Sequence, residues 1–272
     1  MHRVQEIDSL DHPSLIPYRT MRRPAEHYEQ GIFVAEGEKV VRRLLEHPDF
    51  QVVSLLIPGK WLEDYERLLK DRIETIEVFV AEKQILEELI GFSMYQGVLA
   101  VGKVPARPSL ECVLELGIKP RLYVATDALS NAANMGAVVR NCVAFGVQAL
   151  IVGETCSTPW LRRSVRSSMG TIFDLPVIES SNLGSTLRQL KEHGIRIIGA
   201  HPHTDGRTLT QLDLTQEVCI VLGSEGDGLR PETLAACDEH AAIPMQHEVD
   251  SLNVTSAASV FLYEASRQRG LG

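Results

Sequence analysis

Apolar positions along this chain change period repeatedly, and each change marks an element. Val40, Val41, Leu44 and Leu45 fall on one face of a 3.6-residue repeat, which predicts a helix over 36–45. Val52-Val53-Ser54-Leu55-Leu56-Ile57 is a nearly continuous apolar run closed by Pro58-Gly59, the mark of a buried strand. Helical spacing returns over 61–69. Val78-Phe79-Val80 predicts a short strand, 85–90 a short helix and 97–101 a further strand. Residues 1–105 therefore read as a small α/β domain. Pro105, Pro108 and Pro120 interrupt the pattern, so a linker is expected around 104–109, with a short helix over 110–116.

Beyond it, residues 120–272 alternate strand and helix, as a parallel sheet requires. Strands are expected at 122–125, 149–152, 195–200 and 218–222. Helices are expected at 136–145 and 183–193, after Pro231, and at 252–267. No internal repeat is present.

Composition narrows the class. The chain has 272 residues, 44% hydrophobic and 23% charged, as in an ordinary globular protein with room for two domains. No apolar run approaches the ~20 residues of a membrane span. The first eight residues, MHRVQEID, lack the apolar centre of a secretory signal, so a cytoplasmic protein is expected. Five scattered cysteines, an odd count without a Cys-x-x-Cys pair, point to reduced thiols. His201-Pro202-His203 lacks further ligands at metal spacing, and no metal is expected. The net charge of −9 argues against a uniformly basic phosphate-binding surface. Local patches remain: Arg19, Arg22 and Arg23, and then Arg162, Arg163 and Arg166, in a stretch free of acids from 155 to 172.

Three stretches carry candidate chemistry. In Asp127-Ala128-Leu129-Ser130-Asn131-Ala132-Ala133-Asn134-Met135-Gly136-Ala137-Val138-Val139-Arg140 a strand ends, a polar loop follows and Asn134 stands where a helix N-cap belongs. Arg140 lies among apolar helical residues, so its guanidinium either snorkels to water or binds an anion in a polar site. In Ile220-Val221-Leu222-Gly223-Ser224-Glu225-Gly226-Asp227-Gly228-Leu229-Arg230-Pro231 a strand runs into a glycine-rich loop. That loop is either a plain strand–helix turn or a place where backbone amides meet a ligand. It has neither a dinucleotide fingerprint nor a Walker pattern. The third stretch is Ile243-Pro244-Met245, followed by Ser251-Leu252-Asn253-Val254 and small residues; Ser251 suits a helix cap, and the helix suits close packing in a core or a dimer.

Together these stretches resemble the three signature motifs of the SpoU (TrmH-like) family of RNA 2′-O-ribose methyltransferases. The matches are Asn134-x-Gly136-Ala137-x-x-Arg140, Leu222-Gly223-x-Glu225-Gly226-x-Gly228, and Ile243-Pro244-Met245 with Ser251-Leu252-Asn253-Val254, in the family's order and spacing. Arg166-Ser167-Ser168-Met169-Gly170 resembles the intervening Arg-x-Ser-x-Gly segment. Phe33-Val34-Ala35-Glu36-Gly37 and Gln96-Gly97-Val98-Leu99-Ala100 are similar to the substrate-binding domain of many members. The likeness spans nearly the whole chain. It departs at Ala132-Ala133, where the family usually has Pro-Gly, and at Asn141-Cys142, where small residues are commoner.

The resemblance implies an α/β methyltransferase domain over 120–272, its C-terminal part threaded as a trefoil knot. A smaller N-terminal α/β domain over 1–105 would bind the RNA substrate. It implies S-adenosylmethionine held at Leu222, Gly223, Ile243, Met245 and Leu252. It implies methyl transfer to a ribose 2′-hydroxyl of rRNA or tRNA, with Arg140, Asn134, Glu225, Ser251 and Asn253 in the catalytic site. Because an arginine keeps its proton, Arg140 is expected to act as a cation on the RNA phosphate and the developing oxyanion. Arg22, Arg23 and Arg166 are expected to face RNA, and a homodimer is expected. Competing readings are a knotted methyltransferase acting on a base nitrogen and an inactive RNA-binding relative. A nicotinamide oxidoreductase ranks last, because the early glycine fingerprint is missing.

Overall fold

The computed structural model describes residues 2–90, 97–202, 207–224, 226–247 and 249–270. It forms two compact units, Met1–Ala106 with Trp160–Phe173, and Arg107–Pro159 with Asp174–Gly272.

The first unit holds strands β1 (His2–Ile7), β2 (Ile32–Glu36), β3 (Val52–Pro58), β4 (Ile76–Ala81) and β5 (Leu99–Lys103). Their order is β1-β4-β3-β5-β2. β1, β4 and β3 run parallel, and β5 is antiparallel to both β3 and β2. Helices α1 (Ile16–Arg19), α2 (Pro24–Glu29), α3 (Glu38–Glu46), α4 (Leu62–Lys70) and α5 (Lys83–Ile90) connect them. The α3 face that the period picked out, Val40, Val41, Leu44 and Leu45, is buried. β1 escaped that reading because it is a largely exposed edge strand with a polar sequence.

In the second unit, α6 (Leu110–Leu116) precedes β6 (Leu122–Thr126), α7 (Ala132–Ala144) and β7 (Ala149–Val152). The short α8 (Arg162–Ser167) then belongs to the first unit, where it packs on β2. Trp160 and Phe173 flank it there and meet Phe33, with ring centroids 5.4 and 5.8 Å apart. A stretch that the sequence places inside the second region is thus built into the first unit's core.

The second unit continues with β8 (Val177–Glu179), α9 (Leu183–Glu192), β9 (Arg196–Ala200), β10 (Arg207–Thr208), β11 (Val218–Leu222), α10 (Pro231–Ala236), β12 (Glu239–Ala242) and α11 (Val254–Gln268). The sheet order is β10-β12-β9-β11-β6-β7-β8, and every pairing is parallel. The chain steps outward from β6 through β7 to β8, crosses to β9, and only then inserts β11 between β9 and β6. All five residues of β11 are buried, which explains its unbroken apolar run. A reversal of strand order in an open parallel sheet leaves a crevice at the carboxyl ends of the strands.

Candidate functional site

A cavity of about 210 Å³ lies on this side of the sheet. It lies at the carboxyl ends of β9, β11 and β12 and is closed by the approach to α11 and its first turns. Leu222, Gly223, Ile243, Met245 and Leu252 all line it, and so does Ser251. The structure therefore brings the second and third sequence motifs to one place. The walls are mixed: Phe261 joins the apolar residues, while Ser224, Asp227, Asp250 and His201 add polar groups.

The loop after β11 is shaped by backbone contact. A Cβ on Gly223 would lie 2.3 Å from the carbonyl carbon of Gly228, so only glycine fits there. The N–H of Ser224 donates to the carbonyl of Gly228 at 2.9 Å, and Gly228 takes a φ of 69°. The Asp227 N–H donates to the Ser224 hydroxyl at 3.1 Å. These bonds close the loop on itself, and Gly223, Ser224, Gly226, Asp227 and Gly228 line the cavity.

A charged clamp anchors the loop's far end. Asp127 follows β6 and is completely buried. Its carboxylate accepts from the Arg230 N–H at 2.8 Å and from Arg230 Nε at 2.6 Å. Arg230 also donates to Glu154 at 2.7 Å, and Glu154 accepts from the Leu183 N–H that opens α9. Burial works against the Arg230 charge, but its bonds to Glu154 and Asp127 outweigh burial and hold its proton more tightly than usual. Burial likewise opposes the Glu154 charge, and Arg230 overcomes it, so that carboxyl sits below its ordinary range. The sequence reading gave Asp127 and Arg230 no role. The available signal was a lone acid following the run Leu122-Tyr123-Val124-Ala125-Thr126.

The first motif is arranged differently from expectation. Asn131, not Asn134, caps α7; its side-chain oxygen accepts from the N–H groups of Ala133 and Asn134 at 2.9 and 3.3 Å. Alanine is the strongest helix former, so Ala132-Ala133 extends the helix backward to the next available cap. Asn134 consequently sits in the first helical turn. At the third motif the cap is Asn253 rather than Ser251, its side-chain oxygen accepting from the Thr255 N–H at 2.9 Å. Ser251 stays in the loop and is free to line the cavity.

Arg140 is exposed on α7 and has no ion-pair partner among the described residues. Its neighbour Asn141 donates from Nδ2 to the Thr255 carbonyl at 2.9 Å, pinning α7 to the first turn of α11. Neither Arg140, Asn134 nor Asn253 lines the cavity. Glu225 lies outside the described residues, as does His203 of the histidine pair.

In the first unit, Arg22 and Arg23 are exposed, and Arg23 pairs with Glu26 at 3.2 Å. Arg166 and Arg162 both bind the carboxylate of Glu36. Among the described residues no group of histidine, cysteine and acidic side chains is arranged to hold a metal, and no helix is long and apolar enough to cross a membrane.

Known proteins resemble the chain along its length. Residues 121–263 match the model of the SpoU rRNA Methylase family. A Yersinia pestis protein named 23S rRNA (guanosine-2′-O-)-methyltransferase RlmB is 36% identical over 243 residues, covering 86% of this chain and 97% of the relative. A Mycobacterium tuberculosis protein named as an uncharacterized tRNA/rRNA methyltransferase is 30% identical, covering 97% of this chain and 92% of the relative. The solved structure of the SpoU methyltransferase AviRb from Streptomyces viridochromogenes, in complex with the cofactor AdoMet, superposes with a TM-score of 0.83 at 26% identity. It covers 96% of this chain and 100% of that one. The α/β fold with a parallel sheet, expected to be of the knotted SpoU type, is the one shared with these neighbours.

Proposed function

This chain belongs to the SpoU rRNA methylase family, and we propose that it transfers the methyl group of S-adenosylmethionine to a ribose 2′-hydroxyl of ribosomal RNA. The observation that carries this reading is the meeting of the second and third motifs on one cavity. The cavity's chemistry suits an amphiphilic cofactor. Leu222, Ile243, Met245, Leu252 and Phe261 offer apolar walls to a purine, and Ser224, Asp227, Asp250 and Ser251 offer polar groups to sugar and amino-acid ends. Gly223, where a Cβ has no room, lets backbone approach the ligand. Leu222, Gly223, Ile243, Met245 and Leu252 would hold the cofactor.

When bound, S-adenosylmethionine supplies an electrophilic methyl group open to in-line displacement. The chain's own task is to align a ribose oxygen and to stabilise its developing charge. Arg140 serves that task as a permanent cation, because a guanidinium does not deprotonate near neutral pH. Its exposure, without an ion-pair partner among the described residues, leaves the charge available to an RNA phosphate and to the 2′-oxygen. The hydroxyl proton leaves through that phosphate or through water. Ser251 orients ligand at the cavity wall. Asn253 acts through the turn that it caps, and Asn134 and Glu225 orient the ribose and Arg140.

The first unit selects the RNA, with Arg22, Arg23 and Arg166 facing it. Patches of this kind reconcile a net charge of −9 with a polyanionic substrate, because they position RNA without a global basic field. The protein works in the cytoplasm, as a homodimer. The exposed Val260 and Tyr263 on α11 support that assembly.

The test is direct. Purified protein is incubated with labelled S-adenosylmethionine and unmethylated 23S rRNA transcript, and the digested product is resolved by mass. A 2′-O-methylnucleoside is expected. A methylated base, or no transfer, would contradict the proposal.

A further inference from the structure

Glu36 is the end residue of β2, and its side chain is only 4% exposed. A buried carboxylate is costly unless it is paired and hydrogen-bonded. Here each oxygen takes one guanidinium: Oε2 accepts from Nη1 of Arg162 and Oε1 from Nη1 of Arg166. The two arginines are 126 and 130 residues away in sequence and four apart on α8, so they emerge on the same helix face. Like charges at that spacing repel, and the shared carboxylate is what holds them side by side.

The trio keeps one net positive charge, and it is asymmetric. The acid is sealed in, while Arg166 is 53% exposed and Arg162 is 23% exposed. A guanidinium has five N–H donors, and each arginine uses Nη1 on Glu36. Among the described residues neither has another acidic partner. Their remaining edges form a pre-ordered pair of donors of the kind that grips a phosphate oxygen. Arg43 and Arg163 are exposed in the same unit, and the Arg43 side chain lies against Gly170, just past α8.

We propose that Glu36 is a positioning residue for RNA, holding Arg162 and Arg166 as a two-guanidinium fork that takes one phosphodiester of the substrate backbone. The inference rests on the reading that Arg166 faces RNA. It adds Arg162 to the contact and gives a buried acid a part in binding a polyanion.

The sign of the effect tests it. Glu36→Gln removes a negative charge from the protein, so electrostatics alone would tighten RNA binding. Loss of the fork would loosen it. Binding of 23S rRNA transcript is measured as a function of salt, alongside S-adenosylmethionine affinity and thermal unfolding. The expectation is about tenfold weaker RNA binding for Glu36→Gln, with cofactor affinity unchanged. RNA binding as tight as wild type or tighter would overturn the proposal. Arg166→Lys keeps the charge and breaks the fork, and should weaken RNA binding comparably; if Glu36→Gln does not fold, full affinity in Arg166→Lys overturns the proposal instead. Arg162→Ala with Arg166→Ala in the Glu36→Gln background should lower the salt slope by about one. Unchanged RNA affinity in that triple variant would remove the RNA-facing reading of Arg166 itself. Weakened affinity there beside an unaffected Glu36→Gln would remove only the role of Glu36.

Discussion

Gly223 and Gly228 meet backbone to backbone: a Cβ on the first would stand 2.3 Å from the carbonyl carbon of the second. The obstacle is main chain rather than a movable side chain, so the loop has to open to admit a methyl group. Gly223→Ala should cost at least about 1–3 kcal/mol of loop stability and weaken cofactor binding by about a hundredfold. Calorimetric titration with S-adenosylmethionine checks this, and wild-type affinity would refute it.

Arg230→Ala should be more damaging to folding than its surface position implies. It leaves the fully buried Asp127 carboxylate with one backbone donor in place of a donor pair. Stripping the partner from a buried charge costs about 3–5 kcal/mol. Urea unfolding should show the loss, and an added Asp127→Asn should recover part of it, because no orphan charge then remains.

Periodicity and punctuation made much of the second unit legible. β11 announces itself as five apolar residues ending in glycine, and α6 lies between Ser109 and Gly117, which cap it in the structure. The cavity residues were legible through motif order, since Leu222, Ile243 and Leu252 are far apart in sequence yet line one space. Helix starts were less so. Asn131 and Asn134, like Ser251 and Asn253, are equally good caps locally, and the choice is made by how far the helix can extend. The pairing of Glu36 with Arg162 and Arg166 was not legible at all. Two elements more than a hundred residues apart produce it, and each alone reads as a solvated charge.

Asn141 ties the first motif's helix to the third motif's helix through the Thr255 carbonyl. Asn141→Ala should lower stability by about 1 kcal/mol, the usual worth of such a bond. The shift of α7 against α11 should reduce turnover more than cofactor affinity. Comparing kcat with the calorimetric Kd separates the two effects.

His27 provides a pH signature for the first unit. Its side chain is buried and shares a 3.1 Å hydrogen bond with Thr20, and burial lowers its pKa below the ordinary 6.5. The unfolded chain therefore binds the proton more readily than the folded one. The His27 contribution is complete above pH 6.5 and is lost as pH falls through the folded-state value. Thermal midpoints recorded downward from pH 7 should decline less steeply for His27→Gln than for wild type.

Arg140→Ala should separate chemistry from cofactor binding. Because Arg140 does not line the cavity, S-adenosylmethionine affinity should stay within about twofold of wild type. Turnover should fall by about a hundredfold or more, the usual effect of losing an oxyanion-stabilising group. Arg140→Lys should recover only part, since an ammonium lacks the planar fork.

The most direct measurement is nucleotide-resolution mapping of 2′-O-methyl groups in total RNA from cells with and without this protein. One ribosomal RNA position should lose its 2′-O-methyl group in its absence and regain it with the wild-type chain but not with Arg140→Ala. Identical maps, or a change confined to a methylated base, would contradict the account.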